Sequence, residues 1–146
     1  MTDLTAQDVM QGYLDALVER ADFAAFFASD VRWLTMESGD QIVGRDAVRD
    51  FIVAFHTVAF DARPELVNIV VGSDTAMLEA RFVGRHIGDF AGVPATRAEV
   101  DVPYCVAYGI AGGLITELRA YMPISVLVAK LADAAAAGRT AVPAPR

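Results

Sequence analysis

Apolar residues in the first third of the chain recur with the period of a helix. Thr5 and Asp8 form a variant of the capping box at the start of a first helix. Asp22 can cap a second, shorter helix that is anchored by phenylalanines. The run Gly44-Arg45-Asp46 opens a third helix. The apolar stripe of that third helix contains Val48, Phe51, Ile52 and Phe55. The pattern therefore predicts three N-terminal helices.

After the third helix the chain changes to runs rich in valine, isoleucine, tyrosine and phenylalanine, which favour strands. These runs cover residues 64–71, 75–86, 98–109 and 114–122, and a shorter strand-like run covers 31–36. Short glycine-containing segments between the runs are typical of hairpin turns. Helices followed by an antiparallel meander predict an α+β fold, with the helices packed on one face of a curved sheet.

The composition agrees with one folded domain. A chain of 146 residues suits a single domain, and 55% hydrophobic with 21% charged residues can bury a core. Residues 125–136 predict a closing helix after the last strand. We therefore expect one domain over residues 1–137 and a flexible tail over 138–146.

Charge and hydropathy narrow the cellular setting and the partners. Twelve basic against 19 acidic residues give a formal net charge of −7, without the basic cluster that nucleic-acid binding requires. The N-terminus lacks the apolar segment of a signal peptide, and no apolar run approaches the roughly 20 residues that span a bilayer. The single cysteine, Cys105, cannot form a disulfide within the chain. We expect a cytoplasmic protein that binds neither nucleic acid nor membrane.

The sequence lacks recognisable metal and cofactor motifs. His56 and His86 are the only histidines, and neither H-E-x-x-H nor C-x-x-C spacing occurs. The glycine patterns of dinucleotide and phosphate loops are missing, as is the G-x-S-x-G nucleophile elbow. We therefore expect no metal and no cofactor, and chemistry carried by side-chain acids, bases and hydrogen bonds in a pocket.

Several segments resemble the nuclear-transport-factor-2-like superfamily. The segment GRHIGDFAGVPAT (84–96) resembles the H-x-G-x-F-x-G-x-P-x-T motif of the SnoaL-like polyketide cyclases. The segment GGLITELRAYMP (112–123) resembles the G-x-I-x-x-x-R-x-Y-x-D strand that those cyclases share with limonene-epoxide hydrolases. ASDVRWLTM and GRDAV fit the same superfamily. The resemblance implies a cone-shaped barrel: a strongly curved antiparallel sheet, three main N-terminal helices and a C-terminal helix.

The chain departs from these enzymes at residues that carry their chemistry. Pro123 stands where a carboxylate ends the R-x-Y-x-D strand. Trp33 and Thr35 replace a tyrosine and an asparagine that hold a water in the hydrolases. Arg81 matches a hydrolase arginine, but Val83 stands where the second aspartate would follow. The resemblance therefore does not imply epoxide hydrolysis by the hydrolase route.

Strand alternation predicts the pocket, provided that Arg81 faces inward as it does in the hydrolases. Glu79 would then share its face, Asp101 would face inward from the neighbouring strand, and Tyr121 from the last one. The candidate catalytic residues are Glu79, Arg81, Asp101, Tyr121 and His86. The candidate substrate-binding residues are Tyr13, Trp33, Thr35, Phe51, Phe55, Val83, Cys105, Arg119 and Pro123.

These candidates also have structural interpretations. Glu79 and Arg81 can be a simple ion pair, and His86 can be a residue at the pocket rim. His56, at the end of the third helix, is more often a satisfied surface or interface histidine. Cys105 has no adjacent base and is typical of a small core residue.

Two functions remain open. The first is a cofactor-independent acid–base enzyme (a cyclase, an isomerase or an epoxide-opening type) that acts on a hydrophobic small molecule such as a polyketide or terpenoid intermediate. Glu79 or Asp101 would be its base, and Arg81 or Tyr121 would stabilise the oxyanion. The alternative is a non-catalytic small-molecule-binding or dimerisation module that has lost the family's catalytic aspartate.

The strands over 64–71 and 98–109 also predict a homodimer, because they carry apolar residues on both faces. In the first of them, for example, Val67, Ile69 and Val71 alternate with Leu66 and Val70. One face can line the interior, and the other is an exposed apolar patch unless a partner covers it. We therefore expect a second copy of the chain on the outer face of the sheet.

Overall fold

The capping box predicted at the start of the first helix is present. In the computed structural model, which describes residues 4–141, the Thr5 hydroxyl accepts from the Asp8 backbone N–H at 3.2 Å. The Asp8 carboxylate accepts in return from the Thr5 backbone N–H at 3.2 Å. The helix ends at Arg20, whose backbone is left-handed with φ 57°. Both ends of the helix therefore have their free backbone groups partly satisfied.

The described residues form three α-helices, one 3₁₀ turn and six strands. In chain order they are α1 (Ala6–Glu19), the 3₁₀ turn (Phe23–Phe26), β1 (Phe27–Thr35), β2 (Asp40–Val43), α2 (Arg45–Thr57), β3 (Phe60–Val71), β4 (Thr75–His86), β5 (Glu99–Ala111), β6 (Leu114–Tyr121) and α3 (Ile124–Ala141). No helix among residues 4–141 has the length and hydropathy to cross a membrane.

The sheet is curved and mixed rather than wholly antiparallel. Its strand order is β2-β1-β6-β5-β4-β3, and every neighbouring pair is antiparallel except β1 and β6. The chain leaves β2 through α2, enters the far edge at β3 and returns by three hairpin steps. The last of these strands, β6, therefore runs parallel to β1 and pairs with it. Because β2 and β3 remain edges, the sheet does not close; the α+β cone is confirmed, with a mixed rather than a wholly antiparallel sheet.

Three element predictions need correction. The second predicted helix is only the 3₁₀ turn, and the strand β2 was not predicted at all. The closing helix α3 is longer than 125–136 and includes residues 138–141, which we expected to be tail. Residues 142–146 of that predicted tail lie outside the described residues.

The core lies between the helices and the inner face of the sheet. One cluster packs α1 against the sheet around Tyr13, Phe27 and Tyr108. A second cluster packs Phe55, Phe60 and Phe82 under α3. The α3 residues of that second cluster are Leu127 and Leu131, both fully buried. Helices α1 and α2 therefore cover the sheet, and α3 covers one end of the cone.

Candidate functional site

A small cavity lies between α1, α2 and the inner face of the sheet. Its volume is about 30 Å³, and none of its lining residues is exposed. A cavity of this size has room for one or two water molecules, provided that polar groups line it. Its lining residues are Tyr13, Leu17, Trp33, Ile52, Phe55, His56, Phe82, Tyr104, Val106, Tyr108, Leu118, Ala120 and Met122. The polar groups on this wall are one imidazole, one indole and three phenol hydroxyls.

His56 is the histidine in this wall, and its two ring nitrogens have different surroundings. Nδ1 lies 2.8 Å from the backbone carbonyl of Ile52, one turn earlier in α2. A carbonyl can only accept, so Nδ1 carries the proton and donates it there. Nε2 is then the lone-pair nitrogen, and it is buried with no hydrogen-bond partner among the described residues. The ring therefore presents a fixed, unused acceptor.

The surroundings keep His56 neutral. Burial lowers the pKa of its imidazole below the ordinary value of 6.5, and the positive charge of Arg20 lowers it further. The hydrogen bond to Ile52 opposes this shift but does not reverse it. A neutral imidazole with a free lone pair is in the protonation state of a general base at neutral pH.

Three tyrosines on the cavity wall have hydroxyl groups that resist ionisation and can therefore donate hydrogen bonds, whereas His56 Nε2 can only accept. Burial raises the pKa values of Tyr13, Tyr104 and Tyr108 well above the ordinary phenol range. The rings of Tyr13 and Tyr108 lie 5.7 Å apart, and the Tyr108 hydroxyl donates to that of Tyr13. Phenols that stay neutral are hydrogen-bond donors for negative charge that develops on a bound molecule.

The predicted aromatic residues divide between the cavity and its supports. Tyr13, Trp33 and Phe55 line the cavity, as expected. The Trp33 indole donates to the Thr35 hydroxyl at 3.0 Å, and Thr35 does not itself line the cavity. Phe51 packs against Trp33 with ring centroids 5.1 Å apart and does not line the cavity. These two residues therefore position the wall from behind.

The predicted inward face of β4 is wrong. Ala76, Leu78, Ala80, Phe82 and His86 are the buried residues of this strand, whereas Glu79 is exposed. Because side chains alternate with a period of two, choosing the wrong residue as inward turns the whole strand over. Val83, predicted to bind substrate, therefore lies on the outer face with Glu79.

The same correction applies to the candidates on β5 and β6. Asp101 is exposed on the outer face, where its carboxylate accepts from Arg81 at 2.6 Å. Arg81 therefore pairs with Asp101 and not with Glu79. Cys105 and Tyr121 lie opposite each other on this outer face. Burial, with the nearby charge of Glu79, raises the pKa of the Cys105 thiol, so its nucleophilic thiolate is disfavoured.

Arg119 is likewise held on the outer face. Its guanidinium donates to Glu117, whose other carboxylate oxygen accepts from Arg32 at 2.7 Å. Pro123 lies in the link between β6 and α3, where its carbonyl accepts from the backbone N–H of Leu127. Neither Arg119 nor Pro123 lines the cavity. The residue of this segment that does so is Met122.

Comparison with known proteins identifies the family. The family model described as "SnoaL-like domain" matches residues 10–118, more than half of the chain. The chain belongs to the SnoaL-like domain family. No curated protein matches it significantly in sequence.

Solved structures share the fold of this SnoaL-like domain at low sequence identity. A proposed polyketide cyclase from Xanthomonas campestris pv. campestris is 20% identical, with a TM-score of 0.76 over 86% of this chain and 96% of that one. A proposed SnoaL-like polyketide cyclase from Jannaschia sp. CCS1 is 19% identical, with a TM-score of 0.77 over 90% and 95%. A proposed ketosteroid isomerase from Kribbella flavida DSM 17836 is 19% identical, with a TM-score of 0.61 over 79% and 75%.

In this SnoaL-like domain the segment 84–96 forms the end of β4 and the loop that follows it. His86 is fully buried, not at the rim, and its Nδ1 accepts from the backbone N–H of Thr96 at 3.1 Å. Phe90 packs against Phe55 and Phe60, with ring centroids 5.6 and 5.2 Å away. His86 does not line the cavity. The motif therefore fixes the loop between β4 and β5 over the aromatic cluster.

The polar cavity residues that sequence reasoning missed are His56, Tyr104 and Tyr108. His56 extends the apolar stripe of α2, which already contains Ile52 and Phe55, so its inward direction was visible in the spacing. Tyr104 and Tyr108 belong to the inward face of β5 that the Arg81 assumption excluded. No sequence pattern predicts that His56 Nε2 lacks a hydrogen-bond partner, because this depends on how residues distant in the sequence pack around the ring.

Proposed function

We propose that this SnoaL-like domain is a cofactor-independent enzyme of the cyclase or isomerase type. In this proposal His56 Nε2 removes a proton from a carbon next to a carbonyl of a small hydrophobic substrate. The observation that carries it is the buried, unpartnered Nε2 on the cavity wall, with Nδ1 fixed by Ile52. The family and the proposed cyclase and isomerase activities of its structural neighbours support the same kind of chemistry.

The proton balance needs no further reagent. The substrate C–H bond breaks, its proton goes to His56 Nε2, and the electron pair forms an enolate. The hydroxyls of Tyr13 and Tyr104 at the cavity donate hydrogen bonds to the enolate oxygen, and the Tyr108 hydroxyl donates to Tyr13. The imidazolium then returns the proton to another carbon, which is an isomerisation. If the enolate carbon instead attacks a second carbonyl of the same molecule, the proton goes to the new alkoxide and a ring has closed.

His56 thereby takes the role that we expected of Glu79 or Asp101. Those two carboxylates lie on the opposite face of the sheet and are exposed. Pro123 has no ionisable group, so a base must come from another element of the fold. Helix α2 supplies it, because His56 is the ring on that helix with a free acceptor at the cavity.

The test is deuterium exchange, which detects enolisation without knowledge of the natural substrate. The protein in deuterated buffer is incubated with 4′-fluoroacetophenone and other simple ketones, and loss of the protons next to the carbonyl is followed by NMR. We expect exchange above the buffer rate, lowered about 10²- to 10⁴-fold by His56→Gln. Glu79→Gln is the matched control and should exchange as the wild type does. Undiminished exchange by His56→Gln would refute the assignment.

We also propose that a second copy of the chain covers the outer face of the sheet. Val70, Met77 and Tyr121 are 64%, 49% and 49% exposed there and line one open groove of about 420 Å³. The pair of Arg81 with Asp101 lies next to the groove residues Glu79 and Pro103, and the pair of Arg85 with Glu99 lies farther along the same strands, so the face carries both signs of charge. A face with both signs can complement itself about a twofold axis.

Light scattering tests this dimer directly. We expect a mass about twice 15.6 kDa for the wild type, and a monomer for Met77→Glu, which places a charge in the apolar groove. Val126→Glu, a change at an apolar residue of similar exposure on α3, should leave the dimer intact. A wild-type monomer at micromolar concentration would exclude the proposal.

A further inference from the structure

A second pocket lies between α1 and α2 on the surface of the molecule. Its volume is about 140 Å³, and three of its residues, Leu17, Ile52 and His56, also line the inner cavity. The shared residues therefore form the wall between the two spaces. On the solvent side the pocket is lined by exposed residues, among them Val53 and Thr57.

The opposite end of the cone is closed. Leu127 and Leu131 of α3 are fully buried there, in one cluster with Met122. Phe90 and Val93 of the loop between β4 and β5 pack against the same cluster. A molecule approaching from that end must displace a packed helix and a packed loop. A molecule that approaches between α1 and α2 meets only the side chains of Leu17, Ile52 and His56, which separate the pocket from the inner cavity.

The rim of the α1–α2 pocket is held in place by Arg20. Its guanidinium donates to the Asp61 carboxylate at 2.7 Å and to the backbone carbonyls of Ala62 and His56 at 3.1 and 3.4 Å. These bonds tie the end of α1 to α2 and to β3. The pocket is therefore bounded by fixed elements, with an apolar wall formed by Leu17, Phe23 and Ile52.

We propose that the α1–α2 pocket is the substrate entrance and holds a single apolar ring while the reacting C–H group meets His56 Nε2. This inference rests on the proposed function and narrows its substrate to single-ring ketones. Two volumes support it. An apolar cavity of about 150 Å³ accepts benzene, and this pocket has about 140 Å³. The inner cavity of about 30 Å³ admits no ring at all.

The experiment fills the pocket from its solvent side. Val53 is 41% exposed and lines the pocket, so Val53→Trp can occupy it without disturbing the core. Ala54→Trp is the matched control, because Ala54 is the next residue of α2, is exposed and does not line the pocket. Binding of 4′-fluoroacetophenone is followed by ¹⁹F NMR, and its deuterium exchange by ¹H NMR. We expect Val53→Trp to weaken binding and slow exchange at least about tenfold, one factor of ten per 1.4 kcal/mol, and Ala54→Trp to change neither.

Two further measurements separate the possible failures. A four-ring steroid ketone should exchange no faster with the wild type than in buffer; faster exchange would overturn the single-ring assignment. Leu131→Ala loosens the α3 end, and if it restores binding and exchange to the Val53→Trp protein, the entrance lies at α3. Wild-type binding and exchange by Val53→Trp would refute the entrance, and the His56→Gln result would still decide the proposed function.

Discussion

The two faces of one sheet differ in the kind of polar group that each carries. The outer face holds ion pairs such as Arg81 with Asp101, whose side chains are 40% and 56% exposed. The inner face holds neutral phenols, Tyr104 and Tyr108, and the helices that cover it add the neutral Tyr13 and His56, all among apolar side chains. Exposed pairs are screened by water and contribute little, whereas buried neutral groups have shifted pKa values and fixed directions. The face with more charged side chains is therefore not the face whose groups are suited to acid–base chemistry.

The largest expected effect compares two neighbouring residues of β4. Phe82 is fully buried and stacks on Phe55 with ring centroids 4.5 Å apart. Phe82→Ala should lower the free energy of unfolding by about 3–5 kcal/mol, since it removes a buried ring and leaves a cavity. Urea denaturation measures this change. Arg81→Ala, one residue away on the outer face, should change it by no more than about 1 kcal/mol. Equal losses of unfolding free energy in the two variants would contradict the assignment of Phe82 to the buried face and of Arg81 to the exposed face.

A second prediction concerns catalysis by the phenols. Tyr13→Phe removes a hydroxyl from the inner cavity and keeps the ring, so the fold should persist. We expect the deuterium-exchange rate to fall about 10²- to 10³-fold, the usual loss for one oxyanion donor. Tyr121→Phe makes the same chemical change on the outer face and should leave the rate unaltered. If Tyr121→Phe lowered the exchange rate and Tyr13→Phe did not, the reaction would take place on the outer face of the sheet, which contradicts the proposal.

A smaller effect is the pH dependence of stability. The unfolded chain protonates His56 near 6.5, above the lowered pKa of the folded state, so the free energy of unfolding is full above that pH and falls below it. The raised pKa values of Tyr13 and Tyr108 act in the other direction. The unfolded chain ionises these phenols near pH 10.0, so their contribution is full below that pH and is lost above it.

Urea denaturation midpoints measured from about pH 5 to about pH 11 test both the loss of stability at acid pH and the loss at alkaline pH. His56→Gln should flatten the acid side of this profile, because glutamine does not titrate. Tyr13→Phe should reduce the alkaline loss, and Tyr121→Phe should not. If His56→Gln keeps the full acid decline, other groups cause it. The exchange rate of the wild type should also rise through the lowered pKa of His56 and level off by neutral pH.

The smallest expected effect lies in the loop between β4 and β5. Thr96→Val removes the hydroxyl that bonds His86 Nδ1 at 3.0 Å and that accepts from the backbone N–H of Ala98. We expect a loss of about 1–3 kcal/mol in the free energy of unfolding, because a buried polar group loses a partner. The exchange rate should change little, since His86 does not line the cavity. A large loss of rate without a loss of stability would restore His86 as a catalytic candidate.

The elements were largely predictable because their patterns are local. The run 75–86 is β4, and the spacing of Val48, Ile52 and Phe55 correctly predicted the stripe of α2. Strand β2 escaped because it has four residues and only Ile42 is half-buried. The parallel pairing of β1 with β6 was not predictable from either strand, since it follows from the path of the chain between them.

The site was predicted less well, for a reason that β4 makes clear. Ala76, Leu78, Ala80 and Phe82 are the apolar set of that strand, and this pattern alone indicates the inner face. The assumption that Arg81 faces inward overrode it. Whether a buried histidine has a partner is a property of the packed structure. His56 therefore could be predicted to point inward, but not to keep a free nitrogen.

The pairing of β1 with β6 also constrains how the chain folds during synthesis. Arg32 of β1 and its partner Glu117 of β6 are 85 positions apart. The first strand therefore emerges from the ribosome long before its central neighbour exists, with only the short strand β2 beside it. Until β6 is made, one edge of β1 remains open to pairing with other chains. Contacts so distant in sequence slow folding, so newly made chains of this protein should depend on chaperones more than a helical bundle of equal length.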